Sequence, residues 1–104
     1  MLKELKTDDF CTLVKMEEKP VVLNFTAGWC QGCQQVASII ESTAEEIKNV
    51  MFYDVDVDKN LEFTVQRYNV IGIPTLILFK NGIEVDRLTT LKLNEKIIKD
   101  FATQ

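Results

Sequence analysis

The sequence predicts an α/β domain in which a central mixed sheet of about five strands is flanked by about four helices. Apolar, β-branched runs alternate with stretches of helical spacing, and strands joined through helices run parallel. Asn81-Gly82 marks a tight hairpin, which adds antiparallel strands to that sheet. At 104 residues, 46% hydrophobic and 27% charged, the chain has the apolar content for one core and is read as one domain over 1–104.

Taken in order, Leu2 and Leu5 flank a short segment able to pair at a sheet edge. Thr7-Asp8-Asp9 reads as a helix start, with Thr7 as N-cap and two acids in the first turn. Phe10, Leu13 and Val14 give that helix its apolar stripe, and Pro20 stops it. Val21 to Thr26 is nearly all apolar, as expected of a central strand covered on both faces. From Cys33 the spacing turns helical: Val36, Ile39, Ile40, Ala44 and Ile47 share a face, and Glu41, Glu45, Glu46 and Lys48 face water. Met51 to Asp58 then alternates Tyr53, Val55 and Val57 with Asp54, Asp56 and Asp58, a strand with one polar face. Leu61, Val65 and Tyr68 mark a short helix, and Ile71-Gly72-Ile73-Pro74 turns the chain into a strand over Thr75–Lys80. That strand folds back onto Ile83–Thr89 through Asn81-Gly82. Leu93, Ile97, Ile98 and Phe101 stripe a last helix capped by Asn94 or a neighbour, so the order is β-α-β-α-β-α-β-β-α.

Charge and composition exclude several classes of function. Sixteen acidic residues against 12 basic ones give a net charge of −4, which argues against nucleic acid or an anionic membrane as partner. No apolar stretch approaches the ~20 residues of a membrane-spanning helix. Met1 to Lys6 lacks the apolar core of a signal peptide, so a cytoplasmic location is expected. Three cysteines do not make a disulfide framework, and in a reducing compartment a Cys-x-x-Cys pair is more often catalytic or metal-binding than structural.

The chemistry concentrates in Trp29-Cys30-Gln31-Gly32-Cys33, between the strand ending at Thr26 and the helix after it. Free backbone N–H groups and the positive end of the helix dipole stabilise a thiolate on the first turn. Cys30 is therefore the candidate nucleophile. Cys33, three residues on and on the same face, is placed to attack a mixed disulfide formed at Cys30. A tetrahedral metal site would need four ligands, yet the chain has no histidine and its only other cysteine is Cys11. Two chains could still bridge a metal or an iron–sulfur cluster through their Cys30 and Cys33 pairs. Cys11 is read as a small residue packed on its helix flank, and Trp29 as a cap that contacts substrates. The Asp54/Asp56/Asp58 run is read as a strand face, since it lacks the glycine and distal glutamate of a calcium loop.

Phe25-Thr26-Ala27-Gly28-Trp29-Cys30-x-x-Cys33, then Val70-Ile71-Gly72-Ile73-Pro74-Thr75, then Phe79-Lys80-Asn81-Gly82, in that order and spacing, resemble the thioredoxin family over essentially the whole chain. The resemblance implies a thioredoxin fold and a protein disulfide reductase, with Cys30 attacking and Cys33 resolving. It implies that Pro74 is cis beside the cysteines, that substrate backbone lies against Ile73, and that a thioredoxin reductase is the electron donor. No cofactor is expected in the chain itself, and a monomer is expected.

The sequence departs from the family pattern at three places. Gln31-Gly32 stands where Gly-Pro is usual, and a glycine in place of proline loosens the helix start. Asn24 stands where the family has a buried aspartate beneath the resolving cysteine, and an amide takes no proton at neutral pH. Asp54, on the strand face that can look toward Asn24, is the candidate substitute base; the alternative is a solvated strand carboxylate. Leu88-Thr89-Thr90-Leu91 lacks the glycine usual after the last strand, so Thr89 or Thr90 fills a slot where partner backbone would pass. Two other classes of function stay open from sequence: a binding module slow in exchange because of Asn24 and Gly32, and the metal-bridged dimer.

Overall fold

The computed structural model describes residues 2–89 and 92–104. Its sheet has the strand order β1-β3-β2-β4-β5, with β1 Lys3–Glu4, β2 Val21–Thr26, β3 Met51–Asp56, β4 Thr75–Lys80 and β5 Ile83–Leu88. β1 and β2 lie parallel to β3, whereas β4 runs antiparallel to both β2 and β5. This is the mixed sheet expected from helix-joined strands followed by a hairpin. Asn81 and Gly82 both take positive φ, 54° and 78°, as a two-residue hairpin turn requires. A Cβ on Gly82 would also lie 2.8 Å from the Lys15 side chain, so the turn needs glycine for space as well.

Alternation along the strands divides the core into two layers. Val21, Leu23 and Phe25 face one layer with Tyr53, Val55 and Phe79, beneath the helical segments Thr7–Asp9, Cys11–Lys15 and Phe63–Arg67. Val22, Phe52, Leu76 and Leu78 face the other, beneath α1 (Gln31–Glu46) and α2 (Glu95–Ala102) through Val36, Ile40, Ile98 and Phe101. In the first layer Phe10, Phe63, Tyr68 and Phe79 meet mostly edge to face, with ring centroids 5.1–5.6 Å apart. Such pairs contribute about 0.5–1.5 kcal/mol each beyond the area they bury. They hold the segments around Phe10 and Phe63 to the sheet through Phe79 of β4.

Several elements differ from the sequence reading. The first helix is a 3-10 turn at Thr7–Asp9 running into a π-helical stretch at Cys11–Lys15. Thr7 is not its N-cap; Lys6 holds that position, while the Thr7 N–H and hydroxyl both donate to Asn60 Oδ1, at 3.0 and 2.7 Å. β3 ends at Asp56, so Asp58 lies in the turn beyond it. The short helix marked by Leu61, Val65 and Tyr68 is present, and its buried residues are Phe63 and Thr64, while Leu61 and Val65 are exposed. Cys11 is exposed rather than packed. Glu41 is half-buried rather than facing water. Asn94 does cap α2, its Oδ1 accepting the Ile97 N–H at 2.8 Å.

Candidate active site

β2 delivers the chain through Ala27-Gly28-Trp29 to the start of α1, where Cys30 is the N-cap with extended backbone at φ −85°, ψ 108°. Its sulfur therefore does what a cap side chain does: Sγ accepts the Cys33 backbone N–H at 3.2 Å. The donor is one of the helix N–H groups that the helix itself leaves unpaired. Both thiols are free, and both are buried, Cys30 at 8% exposure and Cys33 at 3%.

They are not equivalent. Cys30 lines an apolar groove of about 370 Å³ formed with Trp29, Leu61, Val65, Ile71 and Ile73, whereas Cys33 lies behind it. Burial pushes the Cys33 thiol up, and its proximity to Cys30 adds to this; the Thr26 side chain and the Ala27 backbone oppose it. Cys33 is thus held as a neutral thiol more firmly than an exposed cysteine.

Ile73-Pro74 is cis, as the resemblance implies, and the Ile73 carbonyl oxygen lies 3.9 Å from Cys30 Sγ. Trp29 is 69% exposed and donates from Nε1 to the Asp58 carboxylate at 2.8 Å. The turn that carries Asp58 off the end of β3 thereby fixes the indole at the rim of the groove. Gln31 is exposed and Gly32 half-buried in the first turn of α1. Asn24 and Asp54 are paired in the register of β2 and β3, and Asn24 Nδ2 donates to Asp54 Oδ1 at 2.9 Å. Thr89 is exposed just after β5, while Thr90 lies outside the described residues.

Leu61 and Val65, which the sequence reading used only to mark a short helix, are groove residues that it did not single out. Their signal was indirect, in that Leu61, Val65 and Ile71 are apolar positions left over once Phe63, Thr64 and Val70 fill the core. Among the described residues no group of three or more cysteine or carboxylate side chains is placed to hold a metal ion. No described helix is long and apolar enough to cross a membrane.

A cysteine pair at a helix start, an apolar groove beside one sulfur and a cis-proline turn against it make a site for thiol–disulfide exchange. A protein-family model described as Thioredoxin matches residues 1–103. The chain belongs to the thioredoxin family. It is similar to a thioredoxin from Mycolicibacterium smegmatis, at 38% identity over 98 residues that span 91% of this chain and 87% of that one. Among solved structures it resembles a mutant thioredoxin from Halobacterium salinarum NRC-1, with a TM-score of 0.83, 29% identity, and 96% of this chain and 85% of that one covered. At 34% identity, 95% of the chain also matches 22% of a bifunctional thioredoxin reductase/thioredoxin from Mycobacterium leprae. Like its relatives, this thioredoxin-family chain is a thiol–disulfide oxidoreductase.

Proposed function

We propose that the chain is a protein disulfide reductase in which Cys30 attacks and Cys33 resolves. The observation that carries the assignment is the asymmetry of the pair: Cys30 lines the apolar groove and its Sγ accepts the Cys33 N–H, whereas Cys33 does not line the groove. Attack by the Cys30 thiolate forms a mixed disulfide and releases one substrate thiolate. Attack by Cys33 on Cys30 Sγ then forms the Cys30–Cys33 disulfide and releases the second. Trp29, Ile73 and Pro74 bind the substrate, the indole at the rim and extended backbone along Ile73. Gln31 and Gly32 tune the helix start that both sulfurs share. A thioredoxin reductase is proposed as the electron donor, supported by the relative that carries both activities in its name. We further propose a single domain over 1–104 acting as a monomer in the cytoplasm, in keeping with the odd cysteine count and acidic composition.

The test is the Cys30–Cys33 reduction potential, measured by equilibration against glutathione and dithiol buffers. A reversible two-electron transition near the thioredoxin value of about −270 mV is expected of a general reductase. A value about 70 mV or more higher would replace reduction with exchange or isomerisation as the main direction. Absence of any reversible transition would overturn the redox reading.

A further inference from the structure

Behind the cysteine pair, away from the groove, lies a cavity of about 290 Å³ bordered by Asn24, Thr26, Ala27, Asp54, Asp56 and Glu41. Asn24 is only 6% exposed, and its amide is half satisfied. Nδ2 donates to Asp54, while Oδ1 has no hydrogen-bond partner among the described residues. A buried acceptor without a donor costs about 1–3 kcal/mol, so the position selects for one. The volume far exceeds the ~30 Å³ share of a water molecule, and Asn24 Oδ1, the Asp54 carboxylate and the Thr26 hydroxyl supply the polar partners that a buried water needs.

Two residues of the cavity wall connect it to the resolving cysteine. Cys33 interacts with the Thr26 side chain and the Ala27 backbone, and both residues border the cavity. Burial keeps the Cys33 proton on, yet resolution needs the thiolate. The chain contains no histidine to take that proton. Asp56 is already engaged, its Oδ1 accepting the backbone N–H groups of Asp58 and Lys59 at 2.9 and 3.2 Å. Asp54 is held toward the cavity by Asn24.

We propose that Asp54 receives the Cys33 proton during resolution, through water held among Thr26, Asn24 and Asp54. The inference rests on the reading of Cys33 as the resolving thiol. In this step the Cys33 S–H bond breaks and its proton passes through the water to the Asp54 carboxylate. The sulfur's electron pair forms the Cys30–Cys33 bond. The mixed disulfide breaks, the substrate sulfur leaves with its electron pair and is protonated from solvent, and Asp54 later returns its proton to solvent.

Burial also raises the proton affinity of Asp54, as an acceptor near neutral pH requires. The Asn24 hydrogen bond opposes that rise, Glu41 of α1 and Glu4 of β1 add to it, and the amino-terminal charge opposes it. Asp56 is the other carboxylate of β3 on the cavity.

The experiment follows the two steps separately in a Cys11→Ser background, which removes the exposed third thiol. The reduced protein is mixed with dithiobis(nitrobenzoate) from pH 5 to 9; the first thionitrobenzoate released reports attack by Cys30 and the second reports resolution by Cys33. Asp54→Asn should slow the second phase about tenfold or more at pH 7 while leaving the first within about twofold, and Asp54→Glu should recover part of the loss. The second phase of Asp54→Asn should then rise steadily with pH, as hydroxide replaces the lost acceptor. Glu45→Gln, which removes one exposed negative charge from α1, should change neither phase. An unchanged second phase in Asp54→Asn, or an equal drop in Glu45→Gln, would overturn the proposal while leaving the reductase reading intact. Absence of a second phase in the Cys11→Ser parent would overturn both. Asp54→Asn removes a carboxylate that burial disfavours and keeps an acceptor for Asn24, so the variant is expected to fold, and its circular dichroism checks this.

Discussion

Cys30 and Cys33 differ in what surrounds each sulfur, and chemistry follows from that difference. Cys30 has a helix N–H and an open apolar groove; Cys33 has burial and the back of the site. Cys33→Ser should therefore trap a protein substrate as a mixed disulfide on Cys30, because the resolving attack is gone while the first attack remains. Cys30→Ser should trap none. Non-reducing electrophoresis after mixing with an oxidised protein substrate separates the two, and equal trapping by both variants would remove the assignment. The cysteine spacing was legible in the sequence, and period-two alternation put Asp54 on the strand face that can look toward Asn24, to which it is hydrogen-bonded. The anchoring of Trp29 by Asp58 was not legible. It depends on β3 stopping at Asp56, which turns Asp58 out of the strand, and that end is set by the hydrogen bonds of Asp56 to the following turn.

Elements were legible to the extent that their own residues define them. α2 is an example: the apolar stripe and the Asn94 cap both appear in the structure. Asn94→Ala removes the acceptor for Ile97 N–H and should cost about 1 kcal/mol, lowering the melting temperature by about 4–8 °C, read by thermal unfolding. The segment Phe63–Arg67 is the opposite case. Its apolar residues surround the axis, and local spacing marks a helix through Leu61, Val65 and Tyr68 without saying which face is buried. The cluster of Phe10, Tyr68 and Phe79 draws in Phe63, and this leaves Leu61 62% exposed in the groove beside Cys30. Tertiary packing decides the buried face over so short a stretch. Leu61→Glu sets a charge on the groove wall without opening the core. It should lower kcat/KM for a protein disulfide about tenfold and leave the rate with a small dithiol-reducible disulfide near that of the parent. Equal losses on both substrates would show that Leu61 supports the fold rather than substrate docking.

Across the whole molecule, the two-layer burial of the sheet makes stability depend on pH at the alkaline end. Burial raises the proton affinity of Cys33, Tyr53 and Tyr68; Cys30 adds to the rise at Cys33, and Arg67 partly opposes it at Tyr68. Each group is neutral when protonated, and the folded state keeps its proton to higher pH than the unfolded state. The stability each contributes is thus fully present below its unfolded pKa, about 8.5 for a cysteine and about 10 for a tyrosine, and is lost as pH rises through the folded value. The tyrosines act alike in both redox forms, whereas oxidation removes the Cys33 thiol from the balance. Raising the pH from 7 to 10 should therefore destabilise the reduced protein more than the oxidised one, and reduced Cys33→Ser should lose less than the reduced parent. Urea unfolding of both forms at the two pH values measures it, with a reducing agent present only for the reduced form. Parallel losses would show that Cys33 meets the same environment in the folded and unfolded chain, which its burial behind Cys30 forbids.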